Sequence, residues 1–196
     1  MRPKSDLVAR VLDATYDEVA EHGLTALTVE GVAVRAGSSR ATLYRHFPGG
    51  RDELVARAIE REVERFLAAV LAAAAPTSDG VVRHVAGVAV AAHRLLAEHT
   101  VLQRLLADEA DAIVPSLATV QPQVSAGLVL HLASVFEIGQ ERGEVAPETD
   151  ASEAAQHCAR ILLSYVGSAG PWDLGDPAEA ERLIRDRVLV GVLRGT

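Results

Sequence analysis

Six of the eight residues from Ser39 to His46 carry a hydroxyl, a guanidinium or an imidazole: Ser39, Arg40, Thr42, Tyr44, Arg45 and His46. Together such groups offer hydrogen bonds and positive charge to a partner rich in anionic acceptors. Double-stranded DNA is one. An arginine can grip guanine through two parallel hydrogen bonds, and a threonine can touch a base edge or a thymine methyl. Those roles are open to Arg40 and Thr42. Tyr44, Arg45 and His46 suit phosphates, contacts that set register without reading sequence. Ala41 is small enough to let a backbone approach a groove. Upstream, Thr28 presents a helix N-terminus, itself a phosphate-binding feature. Arg51, and Arg2 with Lys4 in an N-terminal arm, add positive charge. On spacing alone, the same residues would serve equally well as the solvated side of a short helix.

Such a reading head needs two helices crossing around a tight turn, both packed on a third. The first predicted helix runs from about Ser5 to Glu21, with Leu7, Val8, Val11, Leu12, Thr15 and Val19 on one stripe and Gly23 as its stop. Thr28 is placed to cap a second helix that turns Val32, Ala33 and Ala36 inward. Gly37 permits the turn. Ser39 is placed to cap a third helix reaching His46, with Leu43 and Phe47 on its buried face. At 100° per residue, Ala41, Thr42 and Arg45 fall opposite that face and Tyr44 on its flank. Pro48-Gly49-Gly50 ends it, and Asp52 is placed to cap a long fourth helix to about Ala75. Further helical patterns occupy about 81–98, 100–112, 121–142, 151–168 and 177–194. Pro115, Pro122, Gly143–Pro147 and Gly170–Pro177 are the predicted breaks. The expected fold class is all-α, with no sheet.

The net charge of −8 looks wrong for a nucleic-acid binder, but it is unevenly placed. Residues 1–60 carry −1 and the remainder −7, so the acidity lies mostly away from the proposed head. A single cysteine, Cys158, excludes an intrachain disulfide framework. Asp6, Asp13, Asp17 and Glu18 interrupt any signal-peptide stretch, and the apolar run Phe66–Ala75 is too short to span a bilayer. A soluble, cytoplasmic protein without membrane association is expected. No phosphate loop, nucleophile elbow, metalloprotease pair or CxxC motif is present, so neither an enzyme nor a cofactor is expected.

The segments Gly23-Leu24-Thr25-Ala26-Leu27-Thr28-Val29, Val32-Ala33, Ala36-Gly37 and Thr42-Leu43-Tyr44-Arg45-His46-Phe47 strongly resemble the TetR/AcrR family of bacterial regulators. The resemblance covers about the first quarter of the chain. It implies a homodimer that binds operator DNA and releases it when a small molecule occupies the C-terminal part. It also implies DNA contacts from Thr28, Arg40, Ala41, Thr42, Tyr44, His46 and Arg51. Ser38 stands where the family usually has a small aliphatic residue, and Pro48-Gly49-Gly50-Arg51 is one residue longer than the usual connection.

The expected organisation is therefore a helix-turn-helix domain at 1–50 and a ligand-binding and dimerisation domain at 51–196. The last two helices resemble the family's dimer helices, with apolar faces that include Ala155, Ala159, Leu162, Val166, Leu183, Val190 and Leu193. Those stripes would also suit a monomer core. Candidate effector-pocket residues are His93, Leu96, Leu102, Leu105, His131, Val135, Phe136, His157, Ile161 and Trp172. His93, His131 and His157 lack metal-ligand spacing, so no metal is expected. The expected function is a ligand-responsive repressor with a near-palindromic operator. The alternative is a helical small-molecule-binding protein or enzyme without a DNA role.

Overall fold

The structure, a computed structural model, describes residues 4–74, 76–168 and 170–194, with Lys4 and Ser5 described by backbone alone. Arg2, expected in a basic arm, lies outside the described residues. The chain is helical: α1 (Lys4–His22), α2 (Val29–Arg35), α3 (Arg40–His46), α4 (Gly50–Ala73), α5 (Val81–Glu98), α6 (Thr100–Asp108), α7 (Ala110–Glu141), α8 (Ala151–Gly167) and α9 (Pro177–Leu183). A 3-10 turn at Thr77–Asp79 precedes α5, and a π-helical turn at Ile184–Val188 continues α9. No strand forms among the described residues. One isolated antiparallel bridge pairs Val145 with Leu193.

Two expected breaks are absent. Pro115 and Pro122 lie inside α7, and the chain breaks at Glu109 instead. Each proline removes one helical hydrogen bond. Both prolines are exposed, as are Asp111 and Ala118, whose carbonyls lose their partners, so water can replace the missing donors. Meanwhile α7 buries Ile113 near one end and Leu128, Leu132, Val135 and Phe136 near the other, which favours its continuation. By length and composition α7 is also apolar enough to cross a membrane. Leu128, Leu132, Val135 and Phe136 of α7 lie in a hydrophobic core.

The helix expected to reach residue 194 also ends early. Leu189 N–H donates to Ile184 O at 2.9 Å, a π-type bond that inserts one residue into the turn. Gly191, at φ 76°, then redirects the chain. Ala146 N–H reaches Val192 O, and Arg194 N–H reaches Glu144 O.

The chain packs as two compact units. The first comprises residues 1–65 with 99–121, the second 66–98 with 122–196. This division by packing follows a different line from the expected functional boundary at residue 50, because α6 and the start of α7 pack with the N-terminal helices. The core of the first unit joins Val11, Leu24, Leu27, Val32, Leu43, Phe47, Leu54, Leu105 and Ile113. In the second unit the core joins Val70, Val85, Val88, Leu132, Phe136, Ala155, Cys158, Leu162, Ile184 and Leu189. Gly139 permits close packing there, since a Cβ at that position would lie 2.6 Å from Val81 Cγ2.

Candidate nucleic-acid interface

The short helices α2 and α3 are fixed at both ends. Thr28 Oγ1 accepts from Gly31 N–H at 3.0 Å, and Ser39 Oγ from Thr42 N–H at 3.2 Å, as N-caps should. Gly37, at φ 60°, makes the turn between them. Leu43 and Phe47 are almost fully buried, which fixes the rotation of α3. The guanidinium of Arg57 lies 5.2 Å from the centre of the Phe47 ring. Arg35 joins α2 to α1 through Glu18 at 2.6 Å and through Glu21. Those contacts raise the Arg35 pKa, the hydrogen bond to Glu18 contributing most.

What α3 leaves outside is the polar face expected from spacing. The Arg40 side chain is 59% exposed, with only a long 3.4 Å contact to Glu30. Ala41 and Arg45 are exposed, and Tyr44 is 45% exposed. Thr42 and His46 are half-buried, with Thr42 Oγ1 and Ser39 Oγ 2.9 Å apart. Thr28 and Ser39 are exposed while acting as caps.

Two expectations at the start of α4 are corrected. Helix α4 begins at Gly50, two residues before Asp52, so Asp52 does not cap it. Asp52 pairs with Arg51 at 3.3 Å instead, and Gly49 N–H donates to Glu53 at 2.8 Å. Arg51 is turned back into the protein. Its Nη2 donates to Leu24 O at 2.7 Å and its Nε to Leu27 O at 3.2 Å. That guanidinium supports the loop before α2 rather than standing free for phosphate. The longer connection is accommodated by Gly50 at φ 62°, where a Cβ would sit 3.2 Å from Tyr44 Cε1. The ring of Tyr44 therefore rests on a glycine.

Sequence reasoning missed the residues that mount the head from far along the chain. Glu109, between α6 and α7, accepts from Leu24 N–H at 3.0 Å, from Thr25 N–H at 2.6 Å and from the Thr25 hydroxyl. Its carboxylate occupies the space a Cβ at Gly23 would need. These bonds, the Thr25 hydroxyl first, hold the Glu109 pKa below the ordinary carboxylate value. Arg104 donates to Ala20 O at 2.6 Å and Val19 O at 2.7 Å, carbonyls in the last turn of α1. His99 caps α6 by accepting from Leu102 N–H at 3.2 Å, while its Nε2 lies 3.4 Å from Glu62. No local spacing announces partners about eighty residues apart.

The proposed pocket residues do not form one group. Leu102 and Leu105 belong to the core of the first unit, because α6 packs there. Val135, Phe136, Ile161 and Trp172 belong to the core of the second or pack against it. His131 is half-buried beside His84, Leu96 is half-buried, and His93 and His157 are exposed. The expected dimer faces are corrected as well. Ala155, Ala159 and Leu162 are turned into the core of their own unit and are not available to a second chain. Val166, Leu183 and Leu193 are half-buried against the same core, and Val190 is 61% exposed.

Residues 11–58 match the domain of bacterial regulatory proteins of the tetR family. Curated protein sequences give no match. Among solved structures, the chain resembles the R. erythropolis transcriptional repressor QsdR of the TetR family. That likeness has 20% identity and a TM-score of 0.61 and covers 99% of both chains. A TetR transcription regulator from Haloarcula marismortui is 18% identical, with a TM-score of 0.61 over 97% of this chain and 100% of the other. The fatty acid degradation regulator FadR from Bacillus halodurans is 19% identical, with a TM-score of 0.55 over 93% and 96%. These likenesses establish a shared fold. The chain thus carries the tetR-family domain at residues 11–58 and shares its fold with these solved structures over nearly its whole length.

Proposed function

We propose that the protein is a cytoplasmic, ligand-responsive repressor that binds a near-palindromic operator as a homodimer. The observation that carries this reading is the outer face of α3, exposed and polar on a helix whose inner face is locked by Leu43 and Phe47. Arg40 is the base reader, Thr42 adds a base-edge or methyl contact, and Tyr44, Arg45 and His46 hold phosphates. Thr28 and Ser39 add helix N-termini. Arg51 acts on the loop at Leu24–Leu27 and leaves the phosphate set. In the dimer, two such heads enter successive major grooves about 34–36 Å apart. Repression requires only that the promoter be occupied.

Self-association involves the outward side of α8, which includes the exposed Gln156 and Arg160, together with α9 and the segment after the π-helical turn, which carries the exposed Val190. The effector is a small, largely apolar molecule taken up in the second unit near Val135, Phe136, Ile161 and Trp172. It must bind the released state more tightly, since equal affinity shifts nothing.

A gel shift with operator fragments tests the reading. Arg40→Ala is expected to cost about 1–3 kcal/mol and to relax specificity at one base pair. Tyr44→Phe is expected to weaken all sites alike. Failure of the ligand-free protein to bind any DNA specifically at low salt would remove the regulator reading. An effector that leaves operator affinity unchanged would remove that effector alone.

A further inference from the structure

One carboxylate stands on the helix-turn-helix itself. Between Thr28 and Phe47 the chain has three arginines, Arg35, Arg40 and Arg45, and a single acid, Glu30. Glu30 lies in the first turn of α2, and α3 carries no acid. Arg40, the first residue of α3, donates from Nη1 to Glu30 Oε2 at 3.4 Å. Both side chains are open to solvent, Arg40 at 59% and Glu30 at 72%. The carboxylates on either side of the motif in sequence are engaged elsewhere. Glu18 and Glu21 hold Arg35, Asp52 pairs with Arg51, and Glu53 accepts from Gly49 N–H. Glu30 instead touches the side chain assigned to read a base.

An exposed ion pair of this kind adds little to folding stability. Its position gives it weight. On DNA bound through α3, the first helix of the motif crosses the phosphate backbone and the second enters the major groove. A carboxylate on that side is repelled by the phosphates of every sequence alike. The Arg40 guanidinium offsets the charge only while it stays beside Glu30. A guanidinium carries five N–H donors in a planar fork. One of them directed at Glu30 leaves others for the two parallel bonds to guanine. An arginine that swings to a phosphate instead must leave the carboxylate behind, uncompensated. Specificity is a difference between two affinities, and a repulsion that acts at the wrong site raises it.

We propose that Glu30 is a positioning residue for Arg40, holding its guanidinium for guanine and penalising its use on phosphates. The role presupposes operator binding through α3 as proposed above. On guanine, Arg40 keeps Glu30 and gains both base bonds. On another base it lacks that pair of acceptors, and a phosphate is reached only by giving up Glu30. Without the carboxylate, Arg40 is free to take a phosphate of any sequence. Discrimination at its base pair then falls, while binding to unrelated DNA rises. A structural role would leave a different trace. The charge of Glu30 also favours the N-terminus of α2, and loss of that support alone would weaken all DNA sites alike.

Glu30→Gln keeps the length of the side chain and removes its charge. The test measures binding of the full chain, at low salt, to three DNA fragments. One is an operator selected from random-sequence DNA, one is that operator changed at the base pair where Arg40→Ala relaxes specificity, and one is unrelated. The ratio of operator to changed-site affinity is expected to fall about two- to fivefold in Glu30→Gln, the range an exposed ion pair carries. Affinity for unrelated DNA is expected to rise, by a factor that shrinks as salt is added. In an Arg40→Ala background the same substitution should leave the ratio unchanged. An unchanged ratio in the Glu30→Gln single variant, or an equal fall in both backgrounds, would overturn the proposal. So would uniform weakening on all three fragments, which would assign Glu30 to the support of α2. If the wild type selects no operator, or Arg40→Ala relaxes no base pair, the base-reading role of Arg40 fails and the role of Glu30 falls with it. If Arg40→Ala relaxes one base pair and Glu30→Gln does not, the role of Glu30 fails alone.

Discussion

The two units are held by different means. In the first, charged side chains reach backbone groups of α1 and of the loop that follows it. Arg51 serves the loop at Leu24 and Leu27, Arg104 the end of α1, Arg61 the Ala9 carbonyl at 2.6 Å, and Glu109 the amides of Leu24 and Thr25. In the second, helices of 17 or 18 residues such as α5 and α8 pack largely through Val, Ala and Leu, with the His84 and His131 imidazoles a polar contact inside. The difference follows helix length. Helices of seven residues such as α2 and α3 expose most of their backbone donors and acceptors and cannot persist alone. Something must cap and hold them, and buried or half-buried charge does so. Three basic side chains are thereby committed to structure, while Arg40 and Arg45 stay exposed on α3.

The comparison can be broken most severely where the units agree. Phe47 in the first unit and Phe136 in the second are both fully buried, so Phe47→Ala and Phe136→Ala should each cost about 3–5 kcal/mol in urea unfolding. A much smaller loss in one would show that its core can collapse around the cavity. The next effect should appear only in the first unit. Glu109→Ala removes three acceptor bonds and is expected to cost about 1–3 kcal/mol at neutral pH. Because the Glu109 pKa is lowered, its contribution is present above the ordinary 4.5 and fades as pH falls below that value. The penalty should therefore shrink in acid, and a pH-independent penalty would argue against the carboxylate.

Arg51→Ala should lower stability by about 1 kcal/mol while leaving the salt slope of DNA binding unchanged. A slope reduced by about 0.9 per head would instead return Arg51 to the phosphate contacts. Thr28→Ala, with one cap bond lost, should cost about 0.5–2 kcal/mol by the same unfolding measurement. The smallest effect is an absence of reaction. Burial raises the Cys158 thiol to about 11, so a thiol reagent at about pH 8 should label it only after unfolding. Rapid labelling of the folded protein would mean that the second core opens readily.

Much of the first unit was legible because its signals are local. Thr28, Gly37 and Ser39 mark caps and a turn through their own chemistry, and Leu43 with Phe47 mark a buried face by spacing. The unread parts depend on distant residues. Exposed prolines inside α7 resemble breaks until the burial of Ile113 and Leu128 is known. Arg51 resembles a phosphate ligand until the carbonyls of Leu24 and Leu27 are seen to face it. Ala155, Ala159 and Leu162 form an apolar stripe whose partner periodicity cannot name, and that partner is the core of their own unit. Glu109 gave no signal at all, since its role exists only once the chain has brought it to Thr25.

The contact between Tyr44 and Gly50 has a consequence for binding entropy. A tyrosine on an open helix face samples several rotamers, and fixing it on a ligand costs about 0.5–1.5 kcal/mol. Here the ring already lies against the bare Cα of Gly50 while nearly half of the side chain's residue surface remains exposed. If Tyr44 meets DNA as proposed, a ring seated there would have less freedom left to lose on binding. The additional glycine in the turn thus leaves room for an exposed ring that a side chain at Gly50 would crowd.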